Sequence, residues 1–350
     1  MKAITYREEY LEIGFTPPLL LERWTRRVRL FMELFREIGL DKVYSVIKPG
    51  PCPEDALLLA HEKDYVEFVR EKGEEGVGYL DYGDTPAYPN VYHKARLAVG
   101  GTFELAKMVA KGELEVGFNP QGGFHHAKKD AAAGFCVFND IAIAAYYLLK
   151  QGFKKIAIVD IDGHHGDGTQ EILYREPVLK ISIHRYSPGV FFPGTGGVEE
   201  LGEGEGYGYS VNVPLPEGSG DDVFEMAMKE VIIPLLEKFK PEVLIAQMGV
   251  DAHEGDPLVG LRFTSRSYSL FAEEMRRISL EYRTRIIGLG GGGYEENSTS
   301  RMWALMLSKL VDMDVAEKLR DEKEGISSNS RIVEIVRKRI KHLKSELEIS

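Results

Sequence analysis

The stretch Ile156-Ala157-Ile158-Val159-Asp160-Ile161-Asp162-Gly163-His164-His165-Gly166-Asp167-Gly168 decides how the rest of the chain is read. Ile156 to Val159 are apolar, small or β-branched, which is the composition of a strand buried on both faces. The run then ends in Asp160, Asp162, His164, His165 and Asp167, separated by Gly163 and Gly166 and followed by Gly168. Carboxylates and imidazoles crowded at the end of a buried strand repel one another and lose hydration. A bound cation relieves both costs. Asp162 and His164 stand two apart, so on an extended backbone they point the same way. One carboxylate oxygen and one imidazole nitrogen suit a borderline ion such as zinc. A polar, turn-forming N-cap would account for one Asp or one His, but not for five such residues in eight positions.

The whole chain has 350 residues, 43% of them apolar and 28% charged, an ordinary soluble composition with ample length for a core. A formal charge of −11 argues against direct nucleic-acid binding. The only cysteines are Cys52 and Cys136, so no disulfide framework is expected and a reducing compartment is. The first residues lack an apolar core of signal-peptide length, and no run reaches transmembrane length. The expectation is a cytoplasmic protein with no membrane contact. Oligomeric state leaves no sequence signal.

Leu21, Trp24, Val28, Phe31, Phe35 and Ile38 recur at helical spacing within residues 17–40. A second helix, carrying His61, is expected over 54–72, and that lone histidine reads as structural. Gly73 to Tyr92 reads as a loop containing Asp84, followed by a helix to about Lys111. Val116 to Asn119 reads as a strand, with His125 and His126 just beyond it after a Gly-Gly turn. Asn139 is placed to cap a helix through Leu149. Further strands are expected at 179–184, 209–215, 243–249 and 286–289. Helices are expected at 221–239 and 268–282. Gly290 to Gly293 then lead into Tyr294. From Asp312 the chain is charge-rich with an apolar stripe, Ile332 to Leu343, expected to pack as a helical tail (312–350) on one domain spanning 1–350.

Strand and helix alternate, so an α/β fold with a mostly parallel central sheet and helices on both faces is expected. In such sheets, sites form beyond the carboxyl ends of the strands. Four strands end in residues already singled out: His125 and His126; Asp160 to Asp167; Asp251; and Tyr294. Asp162, His164 and Asp251 give three protein ligands, and a catalytic zinc takes three and keeps a position for water. A histidine at 125 or 126 can take a proton from that water and return one to a leaving amine. Asp160 and Asp167 are natural partners for the far nitrogens of the two rings. Tyr294 can donate to a developing oxyanion. These parts describe metal-assisted amide hydrolysis.

The motifs G-G-F-H-H-A-K-K (122–129), G-F-C-x-F-N-D (134–140), D-I-D-G-H-H-G-D-G-T-Q (160–170), F-F-P-G-T-G (191–196) and G-G-G-G-Y (290–294) resemble the zinc-dependent histone deacetylase family, with its acetoin-utilisation and acetylpolyamine relatives. The resemblance runs from about His61 to Trp303. It implies a three-layer arginase/deacetylase-like fold and one zinc on Asp162, His164 and Asp251. It implies catalytic roles for His125, His126, Asp160, Asp167 and Tyr294. Phe135 and Phe192, with Gly134, resemble the walls of an acyl-lysine tunnel; Leu258 its floor or rim; Gly292 part of its substrate-binding lining; Asp84 a rim carboxylate. Asp160, Asp162, His164, Ser182 and Ile183 resemble a potassium site. The implied activity is deacetylation of acetyl-lysine, with acetylpolyamine or another small acetyl-amine as the alternative substrate. Gly163 departs from the pattern, standing where many relatives carry a larger residue. Two other classes remain: a di-manganese ureohydrolase using His165 or His253 as ligands, and a non-catalytic acyl-lysine binding module.

Overall fold

The computed structural model describes residues 1–349. The order of elements is β1 (Lys2–Thr5), α1 (Pro18–Glu37), β2 (Ser45–Ile47), α2 (Glu54–Leu57), α3 (Lys63–Glu75), α4 (Val91–Ala110), β3 (Val116–Asn119), α5 (Asp140–Lys150), β4 (Ile156–Asp160) and α6 (Asp167–Ile172). It continues with β5 (Leu179–Arg185), β6 (Ser210–Leu215), α7 (Asp221–Ala227), a π turn (Met228–Ile232), α8 (Ile233–Phe239), β7 (Val243–Gln247), α9 (Ser265–Tyr282), β8 (Arg285–Leu289), α10 (Glu296–Leu310), α11 (Ala316–Leu319) and α12 (Ser330–Glu346).

Eight strands form one sheet in the order β2-β1-β3-β8-β7-β4-β5-β6, and every ladder is parallel. Parallel neighbours need a crossover, and the crossovers cover both faces of the sheet with helices. One helical layer joins α1, α10 and α9; another joins α3, α4 and α5. All residues of β3, β4 and β7 are buried, which explains their unbroken apolar runs. The same holds for β5 up to His184, so its apparent alternation does not mark a solvent face.

Two expectations change. The helix expected over 54–72 is two helices, α2 and α3, with His61 between them. His61 Nδ1 lies 2.9 Å from the Lys128 carbonyl, which can only accept, so Nδ1 carries the hydrogen. The Asn139 amide donates to His61 Nε2 at 2.8 Å. The ring thus ties the 122–129 segment to the cap of α5, where Asn139 accepts from Ala142. The helix expected over 221–239 contains a π turn. The strands β1 and β2 and the helix α10 had no counterpart in the sequence reading. β1 and β2 are only four and three residues long, too short for a periodic signal.

Candidate active site

The strands whose carboxyl ends carry the candidate residues are neighbours: β3, β8, β7 and β4. Their register sets Asn119 beside Leu289, Leu289 beside Gln247 and Gln247 beside Asp160. Parallel pairing therefore brings residues more than a hundred positions apart to one edge.

Asp162, His164 and Asp251 each offer a ligand atom, all within 4.8 Å of one another. His164 Nδ1 lies 2.8 Å from Asp251 Oδ2 and 3.4 Å from Asp162 Oδ1. The other oxygens are held from behind. Asp162 Oδ2 accepts from Gln247 Nε2 at 2.9 Å and from the Gly292 amide at 2.7 Å. Asp251 Oδ1 accepts from the Gly163 amide at 2.6 Å. Both carboxyl groups are buried, and burial together with the Asp162 charge lifts Asp251 to about 6. A divalent ion among these atoms would remove that strain. Two oxygens and one nitrogen match the donor set of catalytic zinc. Backbone approaches the ligands very closely: a Cβ on Gly292 would lie 2.6 Å from Asp251 Oδ2. Gly163 has a physical reason too, because a Cβ there would lie 2.6 Å from Val259, which fills the space.

Behind this cluster stand two histidine–aspartate pairs. His125 Nδ1 lies 2.7 Å from Asp160 Oδ2, and His126 Nδ1 lies 2.7 Å from Asp167 Oδ1. The two rings differ. Burial opposes charge on His125, but Asp160 and Asp162 outweigh it and lift it to about 9. Its Nε2 also faces Asp162 Oδ1 at 3.6 Å. Burial and the neighbouring His125 hold His126 down to about 4, so it is neutral. The first ring stands between two carboxylates; the second has one, and its face meets Phe192 with centroids 4.9 Å apart.

Aromatic walls rise from the cluster. Phe135 packs edge-on to Tyr294, and Phe192 packs edge-on to His126. Gly134 has φ +53°, and a Cβ there would lie 2.6 Å from the His126 ring. Tyr294 is buried, and burial with the Asp251 charge pushes its phenol well above the ordinary range, so it is protonated. At the surface, Asp84 lines a cavity of about 240 Å³ with Asp81, Tyr82, Gly134 and Phe192. Burial and the Asp81 carboxylate lift Asp84 to about 6. Leu258 is 39% exposed, which puts it on the surface and not at a buried floor.

On β5, Ser182 pairs with Asp160, and Ile183 is buried beside it. His184 Nε2 lies 3.1 Å from the Gly196 carbonyl and so donates, leaving Nδ1 to accept from Ser182 Oγ at 2.8 Å. The Ser182 oxygen keeps its lone pairs for another partner.

The two histidines a second metal would require are engaged elsewhere. His165 contacts Thr195 Oγ1 and Gln170 Oε1. His253 accepts from the Gly255 amide and faces Asp321 Oδ2 at 3.1 Å. Sequence reasoning missed four residues around the site, Gln247, Asp256, Thr85 and Arg27, and gave Phe191 of the 191–196 motif no separate role. Gln247 holds Asp162, Asp256 holds the Tyr294 amide and Phe191 stacks on His164 with centroids 5.0 Å apart. Thr85 Oγ1 donates to Asp84 and accepts from the Phe135 amide, both at 3.1 Å. Arg27, fully buried, lies over the Trp24 ring and donates to the Gly293 carbonyl at 3.0 Å. Of the four, only Gln247, a lone amide closing an apolar strand, left a visible signal.

The histone deacetylase domain matches residues 22–310. The chain is 39% identical over 301 residues to a probable deacetylase of Archaeoglobus fulgidus, covering 83% of this chain and 80% of that protein. It is 32% identical to histone deacetylase 8 of Xenopus tropicalis (85% and 81% covered). It is 35% identical to the acetoin utilization protein AcuC of Bacillus subtilis (85% and 79% covered). The crystal structure of the HDA15 HD domain superposes with a TM-score of 0.85 at 28% identity, covering 99% of this chain and 95% of that one. The fold is thus the three-layer arginase/deacetylase type, and the chain belongs to the histone deacetylase family, as a deacetylase that hydrolyses amide bonds.

Proposed function

We propose that the protein removes acetyl groups from acetyl-lysine with one zinc ion held by Asp162, His164 and Asp251. The observation that supports this most is the meeting of those three side chains, from two separate segments, beside the Phe192 and Tyr294–Phe135 rings. Zinc bound there would lower the pKa of a water and polarise the amide carbonyl.

The chain's own groups account for the rest. Neutral His126, oriented by Asp167, takes the proton from the water and returns it to the leaving amine. His125, held through Nδ1 by Asp160, keeps its Nε2 free to hydrogen-bond near the reacting carbonyl. The protonated Tyr294 phenol donates a hydrogen bond to the oxyanion as it forms. Phe135 and Phe192 hold the aliphatic stem of the substrate, with Gly134 and Gly292 leaving room beside it. Asp84 and Leu258 sit at the mouth, where Asp84 can accept from the substrate backbone. A potassium ion at Asp160, Ser182 and Ile183, beside the Asp162 and His164 segments, would brace the strand ends. The fixed donor direction of Ser182 supports that assignment.

All eight strands lie in one sheet and α12 packs on β6, which supports one domain over 1–350 with the tail docked on it. Among the described residues no helix is long and apolar enough to cross a membrane. With two buried free cysteines, this supports a cytoplasmic setting.

One observation favours an acetylated polyamine instead: Asp81 and Asp84 flank the mouth, and carboxylates there suit a second cationic amine. Turnover of acetyl-lysine peptides and acetylpolyamines on the same zinc-loaded sample separates the readings. We expect higher kcat/KM for the peptides. The reverse order would move the assignment to small amines, and turnover of neither would leave an acyl-lysine binding module.

A further inference from the structure

We propose that Asp256 is a positioning residue that fixes the Tyr294 phenol and the Leu258 rim as one unit. This rests on the role given to Tyr294 above. Tyr294 follows four glycines, two of them at φ +66° and +137°, conformations open to glycine and strained for other residues. Such a segment has no strand ladder to hold it, so each amide needs a separate partner. The Gly290 and Gly291 amides donate to the carbonyls of Asn119 and Gly122. The Gly292 amide donates to Asp162. The amide of Tyr294 itself is held by a side chain, Asp256 Oδ2, at 2.7 Å.

The second oxygen of the same carboxylate reaches the rim. Asp256 Oδ1 accepts from the Leu258 amide at 2.9 Å. Asp256 is 8% exposed, so water competes little for either bond. Its own amide donates to the His253 carbonyl, and His253 is anchored to Asp321. One buried carboxylate therefore joins the loop after β7 to the loop after β8. A shift at either loop moves the phenol relative to the ligands, and small displacements of an oxyanion donor cost rate steeply.

The test is a double-mutant cycle on the zinc-loaded enzyme, with Asp256→Asn and Tyr294→Phe measured singly and together. Asp256→Asn should lower kcat about 10- to 100-fold, with KM changed less than about threefold, because the amide sets an NH2 donor where one of the two N–H groups now finds an accepting oxygen. Zinc content and melting temperature should stay near wild type. In the Tyr294→Phe background the same change should lower the residual kcat less than about twofold, because the donor it positions is gone. Equal losses in both backgrounds, or a loss explained by missing zinc or by unfolding, would overturn the proposal. If Asp256→Asn does not fold, Asp256→Glu keeps the charge and shifts it by one methylene. It should show the same background dependence, and its absence would count equally against the idea. Undiminished turnover in Tyr294→Phe alone would instead overturn the catalytic reading of Tyr294.

Discussion

The two edges of the central sheet differ in a way that separates function from mere space. At the amino ends of β4, β5 and β6 lies a cavity of about 580 Å³, lined by Lys154, Lys155, Tyr209, Lys238 and Phe239. At the carboxyl ends the cavity among His125, His126, Asp162, His164 and Tyr294 holds only about 20 Å³. The larger space has apolar walls and lysines near solvent. The smaller one has buried carboxylates and imidazoles whose protonation has moved in opposite directions. Charges are removed from water only where something returns the lost solvation, so the crowded edge is the candidate site of the chemistry.

The sharpest contrast should come from Tyr294→Phe. Removing one oxyanion donor costs about 10²- to 10³-fold in kcat. Steady-state kinetics on acetyl-lysine peptide should show this with zinc retained. Next is Gly292→Ala, whose Cβ would meet Asp251 Oδ2 and Asp162 Oδ2. Disturbing the support of metal ligands lowers metal affinity about 10- to 100-fold, measurable by competition with a chelator.

A smaller effect comes from His61, which is buried without a carboxylate partner. Burial holds it down to about 4, against 6.5 for a free histidine. Between those values the unfolded chain binds more protons, so stability falls as pH drops from about 6.5 toward about 4. The loss is at most about 3 kcal/mol. Denaturant melts at pH 7 and pH 5 should show it, and His61→Asn should flatten that slope. The smallest effect belongs to the other edge: Lys154→Ala with Lys238→Ala should leave kcat/KM within about twofold. A loss comparable to that of Tyr294→Phe would show that the edges are not functionally distinct.

Legibility in the sequence followed the same divide. His125, His126 and the Asp160–Asp167 run were readable because several costly residues sit together at the end of an apolar strand. That Asp160 and Asp167 back the two rings followed from ring nitrogens needing partners; which carboxylate meets which ring, Asp160 with His125 and Asp167 with His126, is visible only in the structure. Asp256, Thr85 and Arg27 were not readable. Each is a single polar residue in an ordinary segment, and each holds a distant backbone group that composition cannot reveal. Arg27 meets the Gly293 carbonyl across 266 positions. For the fold, the long buried strands were plain, whereas β1 acquires its place only by pairing with β2 and β3.

Metal analysis tests the central claim most directly. Purified wild-type protein and Asp251→Ala should be compared for zinc content and for turnover of an acetyl-lysine peptide. We expect about one zinc per chain in the wild type, with metal and turnover lost together in the variant while the fold is kept. Retention of zinc and turnover in Asp251→Ala would contradict the assignment of that carboxylate to the catalytic ion.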